Sequence, residues 1–208
     1  MKPTIINDSG MEISEETLLK WVQDITAELL KKKVLPQEKK ETELGIVFLN
    51  ENDAKKLNWN YRCKDYPTDI LSFDSEDPTS LGELVLCPQV ITRQAKENGI
   101  PVAEEFGYAI LHGVLHLLGY DHEKSEENET IMMGIQDEVF EIIRSPKKSK
   151  GKATAVAVKG SVKDKKAAEP KEKPVKAKAA PSKKEKVATK IKVVAAKKEK
   201  KIAAKKKK

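Results

Sequence analysis

All three histidines of this 208-residue chain, His112, His116 and His122, fall inside eleven residues, in the run His-Gly-Val-Leu-His-Leu-Leu-Gly-Tyr-Asp-His. A neutral imidazole carries a nitrogen lone pair near pH 7, which makes histidine the commonest metal ligand. Two histidines four apart on a helix project from one face, a turn from each other. Gly119 can leave the helix in the left-handed conformation that often follows a helix end. Such a turn would carry His122 back toward the first two. Three nitrogen ligands with an open fourth position describe a catalytic zinc site better than a structural one.

The spacing matches the extended zinc-protease pattern His-Glu-x-x-His-x-x-Gly-x-x-His except at one position. Gly113 stands where that pattern has its general base, so the metal site is kept and the protease's base is not. A lone histidine on a buried helix would more often be a hydrogen-bonded core residue. Three at ligand spacing differ, because burying bare imidazoles side by side is costly. Asp121 and Glu123 flank the third histidine, either as outer acceptors or proton shuttles or as solvent-facing turn residues.

The elements that must hold these residues are legible in outline. A helix over Glu104–Leu118, apolar on most of its circumference, carries His112 and His116 and should be buried. Ser14 opens a helix to about Lys32 with Leu18, Leu19, Val22, Ile25, Leu29 and Leu30 at helical period. Leu44–Leu49 reads as a buried strand, followed by a short helix over Asp53–Asn60. Asp69–Phe73 and Glu83–Cys87 read as strands around a polar loop at 74–80, and Thr4–Ile6 as an edge strand. Pro88 opens a helix that ends before Gly99. A last amphipathic helix uses Ile131, Met132, Ile135, Val139, Ile142 and Ile143. The expected fold is α+β: a small mixed sheet of about four strands covered by about five helices, with the metal site at the end of a buried helix.

Charge divides the chain near Pro146. Residues 147–208 hold 25 Lys and 5 acidic residues, a net of +20, whereas residues 1–146 hold 15 basic and 28 acidic residues, a net of −13. The first part has the apolar runs of a core and is the expected domain, 1–146. The second has no aromatic residue and should be disordered, since it cannot bury enough apolar surface to offset ordering entropy. Its composition resembles the tails of linker histones, and lysines at this density attract nucleic-acid phosphates without reading sequence. The first twenty residues do not resemble a signal peptide, no stretch has the apolar length of a membrane span, and Cys63 and Cys87 suggest no disulfide framework. The expected compartment is the cytoplasm.

The histidine run resembles the signature of the YbeY family of bacterial ribosomal-RNA maturation endoribonucleases. Two further segments agree: Leu57-Asn58 with Tyr61-Arg62-Cys63-Lys64-Asp65-Tyr66-Pro67-Thr68-Asp69-Ile70-Leu71-Ser72-Phe73, and Leu81-Gly82-Glu83-Leu84-Val85-Leu86-Cys87 with Gln94-Ala95 beyond it. Met132 follows where family members often have a methionine. The resemblance implies a single-strand-specific RNase using one zinc ion per chain, trimming the 3′ end of small-subunit (16S) ribosomal RNA and serving ribosome quality control. It implies His112, His116 and His122 as ligands and Arg62 as the functional arginine facing them. Cys63 stands where glycine is expected in the family, and Asp69 where Asn and Asp both occur.

That chemistry suits these residues. A zinc held by three histidines lowers the pKa of its water to about 7, and the Arg62 fork suits phosphate oxygens. With glycine at 113, base duty falls to the metal's hydroxide, a carboxylate such as Asp121, or the RNA 2′-hydroxyl. Arg62 could instead be a surface residue paired with Asp65. Lys64 is a weaker candidate for contact with the RNA backbone. Trp59 and Tyr61 could stack on bases, although core packing is their more usual role. The competing classes are a non-catalytic ribosome-assembly factor with a structural metal, and a zinc hydrolase of another substrate.

Overall fold

The computed structural model describes residues 1–144, so the lysine-rich segment and its expected disorder lie outside the described residues. Four strands, β1 (Lys2–Asp8), β2 (Glu43–Leu49), β3 (Ile70–Asp74) and β4 (Ser80–Leu86), form one mixed sheet in the order β1-β2-β4-β3. β1 and β4 flank β2 in parallel, and β3 closes the edge antiparallel to β4. Five α-helices accompany it: α1 (Glu15–Lys31), α2 (Glu51–Arg62), α3 (Pro88–Asn98), α4 (Val102–Leu117) and α5 (Glu126–Arg144). The expected α+β architecture is the one observed.

Local chemistry sets most boundaries. The Ser14 hydroxyl accepts the Thr17 N–H at 3.3 Å and caps α1, satisfying one of the orphan donors at a helix start. Leu18, Val22, Ile25 and Leu29 of α1 are buried, while Leu19 stays exposed. Asn50 caps α2 by accepting the Asp53 N–H at 3.1 Å. The helix therefore begins two residues before the expected Asp53, and it runs on to Arg62. Cys63 ends it in the left-handed conformation, φ 57°, the region in which glycine carries no steric cost. The glycine expected there on family grounds thus has a conformational reason, and this chain departs from it.

Helix α4 is the central element, packed on β3 and β4 on one side and on α1, α3 and α5 on others. It touches the sheet through Gly113. A Cβ there would lie 2.6 Å from both Ile70 Cδ1 and Leu84 Cδ2, so any larger residue would have to displace those two side chains. On α5 the buried stripe is Met132, Gln136, Val139 and Phe140. Ile131 and Ile142, expected to face the core, are exposed. The apolar residues alone had set the helix rotation, but Phe140 stacks on Trp21 and meets Tyr108 edge-on, and the polar Gln136 takes a core position.

Candidate metal centre

The last turns of α4 bring His112 and His116 together, with their Nε2 atoms 3.1 Å apart. The helix then stops through backbone chemistry. Gly119, at φ 93°, donates its N–H to the His116 carbonyl at 2.9 Å, and Tyr120 donates to the Leu115 carbonyl at 3.1 Å. These are the paired bonds of a Schellman ending, which needs a left-handed residue at that place. The reversal sets the His122 ring centroid 5.2 Å from each of the other two rings. One ligand atom from each histidine lies within 4.8 Å of the others, so the cluster could hold a metal ion.

The donor set fits such an ion. Zinc–nitrogen bonds of about 2.0–2.1 Å at tetrahedral angles put ligand nitrogens roughly 3.3 Å apart, close to the observed His112–His116 approach. Burial, more than any other cause, lowers the pKa of both histidines, and the neighbouring histidines lower it further. At pH 7 both rings are neutral and their lone pairs are free to ligate.

One residue of this centre escaped the sequence reading. Gln136 of α5 is fully buried, and its Oε1 lies 2.9 Å from His112 Nδ1. An amide oxygen only accepts, so His112 Nδ1–H donates and the Nε2 lone pair faces the other histidines. A hydrogen bond of this kind selects the tautomer and fixes the ring in many metal sites. The available signal was a polar residue four after Met132 and three before Val139, inside an otherwise buried stripe.

Arg62, at the end of α2, forms an ion pair with Glu123, the residue after His122. Asp65, its alternative partner on sequence grounds, pairs instead with Lys55 at 3.2 Å. The arginine is therefore joined to the histidine turn, and its charge helps to lower the His112 pKa. Asp69 acts in the opposite sense on His112. Its Oδ1 accepts the Ile70 N–H at 2.8 Å and the Thr68 hydroxyl at 3.0 Å, and its Oδ2 accepts Gln94 Nε2 at 3.4 Å. Asp69 is thus a carboxylate fixed by three hydrogen bonds whose charge reaches His112, a role that the family resemblance does not mark.

Asp121 organises the turn. Its Oδ1 accepts the Glu123 N–H at 2.9 Å and its Oδ2 pairs with Lys124 at 3.3 Å. The Glu123 N–H, chiefly, holds its carboxyl below the usual range, and the charge of Asp121 favours protonated His116. Lys64 is exposed in the loop after α2, with Nζ 6.0 Å from the Tyr66 ring centroid. Tyr61 packs edge-on against Phe73 at 4.9 Å, as core packing predicts. Trp59 does not, and is 55% exposed.

The same part of the chain matches known proteins. The profile of the family described as Endoribonuclease YbeY matches residues 4–144. The Endoribonuclease YbeY of Bdellovibrio bacteriovorus is 51% identical over 143 residues, covering 69% of this chain and 95% of that protein. Its namesake from Persephonella marina is 43% identical over 109 residues, covering 50% of this chain and 71% of the relative. A solution structure of a Thermotoga maritima protein aligns with 26% identity and a TM-score of 0.48, over 68% of this chain and 88% of that one. With the family profile spanning the whole sheet-and-helix unit and the histidine cluster at its centre, this chain belongs to the YbeY endoribonuclease family.

Proposed function

We propose that this chain is a zinc-dependent, single-strand-specific endoribonuclease that matures the 3′ end of small-subunit (16S) ribosomal RNA and serves ribosome quality control in the cytoplasm. The observation that carries the reading is the cluster of three histidine nitrogens beside the arginine that closes α2. In this reading His112, His116 and His122 hold one Zn2+. The ion supplies Lewis acidity and a nucleophile available near neutral pH.

The chain's own groups do the rest. Gln136 keeps the His112 Nδ1 proton in place, so Nε2 stays free to ligate. Arg62 exchanges its Glu123 partner for phosphate oxygens, for which its planar fork is suited. Lys64 adds a weaker contact with the RNA backbone. Asp121, with a depressed pKa, is ionised at pH 7 and is available as a proton acceptor beside His122. A peptidase reading is disfavoured by Gly113, which stands where that chemistry has its glutamate. The basic segment 147–208, with its net charge of +20, adds non-specific attraction to RNA and to the ribosome through counterion release.

The test is cleavage of a structured RNA with single-stranded ends by metal-loaded, chelated and Arg62→Ala protein. Chelation should abolish cleavage. Arg62→Ala should leave zinc bound but slow cleavage by roughly a hundredfold, the scale of losing one donor to developing phosphate charge. Cleavage that ignores both changes contradicts the proposal.

A further inference from the structure

Trp59 and Tyr66 are 55% and 52% exposed, the most exposed of the large hydrophobic residues among the described residues. A fully buried asparagine, next to Trp59 in the chain, holds the loop that carries Tyr66. Asn58 is 1% exposed and donates Nδ2–H to the Tyr66 carbonyl at 2.8 Å. That bond, with the Lys55–Asp65 ion pair at 3.2 Å, lays the loop 63–66 along α2. Trp59 precedes Arg62 by three residues on that helix, so both share one face, and Arg62 reaches the histidine turn through Glu123. Lys64 Nζ stands 6.0 Å from the Tyr66 ring centroid. The segment thus carries two exposed rings, a lysine over the face of one of them, and, one turn beyond Trp59, an arginine paired with the histidine turn.

Trp59 and Tyr66 are exposed on either side of Tyr61, which is packed against Phe73. Flat aromatic faces alternating with cations match a single nucleic-acid strand, whose unpaired bases stack while its phosphates meet the charges. A duplex keeps its bases stacked on one another and offers such rings no free face.

We propose that Trp59 and Tyr66 form a base-stacking platform that takes the unpaired bases of single-stranded RNA next to the bond that Arg62 presents for cleavage. The proposal rests on the ribonuclease reading and supplies a physical source for single-strand preference. The platform binds substrate and takes no part in proton or metal chemistry.

The test uses the full chain and two oligonucleotides of equal length, one an oligouridylate and one abasic with the same phosphates. The abasic strand measures phosphate attraction alone, including that of segment 147–208. Wild type should bind oligouridylate more tightly, with quenching of tryptophan fluorescence. Trp59→Ala and Tyr66→Ala should each weaken oligouridylate binding by about tenfold, the scale of losing one stacked base, while leaving abasic binding unchanged. Each should raise KM for single-stranded substrate more than it lowers kcat. Ile131→Ala, at an exposed position on α5, serves as the control and should alter neither affinity. Equal affinity for the two strands in wild type, or oligouridylate affinity untouched in both ring variants, overturns the platform. Those results leave chelation and Arg62→Ala to decide the nuclease reading, so the two failures can be told apart.

Discussion

The two halves of the centre are built on opposite principles. The histidine half is anchored in the core: its rings are half-buried, α4 is pressed onto the sheet at Gly113, and Gln136 holds His112 from the core side. The arginine half is exposed: Arg62, Cys63 and Lys64 lie at a helix end and in the loop beyond it, joined to the first half by an ion pair at the surface. Fixed ligand geometry demands packing that leaves few alternatives. A strand of RNA must enter and leave, and its contacts must exchange with solvent. The difference teaches that changes in the anchored half should alter metal affinity or stability, and changes in the exposed half should alter substrate handling with the metal in place.

The largest effect should come from His116→Ala, which removes a ligand from the anchored half. Bound zinc should fall to background by elemental analysis, with cleavage lost alongside. Gln136→Leu comes next. It leaves the buried His112 Nδ1–H without its acceptor, and zinc affinity should drop about 10- to 100-fold in competition with a chelator. Gln136→Glu, which keeps an acceptor, should recover most of that loss. If Gln136→Leu changes substrate affinity and spares metal affinity, the division between the halves is wrong.

Gly113→Ala tests the packing beneath the ligands. Its Cβ would sit 2.6 Å from two side-chain carbons, and urea unfolding should show a loss of about 1–3 kcal/mol. The smallest effect belongs to the exposed half. Cys63→Gly relieves a left-handed residue, and should stabilise by about 1 kcal/mol at most, without changing bound zinc.

A pH titration of chelated protein separates the halves again. Burial, chiefly, lowers the pKa of His112 and His116 below the 6.5 usual for histidine. The unfolded chain therefore binds protons that the folded chain refuses. Stability should be fully present above about pH 6.5 and decline as pH falls from there toward the folded-state values. A stability profile flat through that window would show that the two rings are not held neutral by burial.

The legible and illegible parts of the site divide along the same line. The histidine cluster could be read because its spacing is local: one helical turn, then one glycine-mediated reversal. Arg62 was singled out by the motif around it, and the sheet and helices were read from apolar periodicity. Gln136 was not found, because its role exists only after α5 packs against α4, 24 residues away from His112 in sequence. Reading the apolar residues alone rotated α5 and put Ile131 and Ile142 inward. For Trp59 the usual tendency of aromatics favours the core over base stacking, and Asp69 reads only as a variable position. Both acquire meaning only from neighbours supplied by tertiary structure.

The central claim is that cleavage depends on one metal ion held by His112, His116 and His122. The most direct measurement is to strip the full chain with chelator, add zinc in steps, and follow bound metal and RNA cleavage together, in wild type and His116→Ala. Wild-type cleavage should rise from background in proportion to bound zinc and level off at one equivalent, while His116→Ala stays at background throughout. Full cleavage by the stripped wild type, or zinc-restored cleavage by His116→Ala, would contradict it.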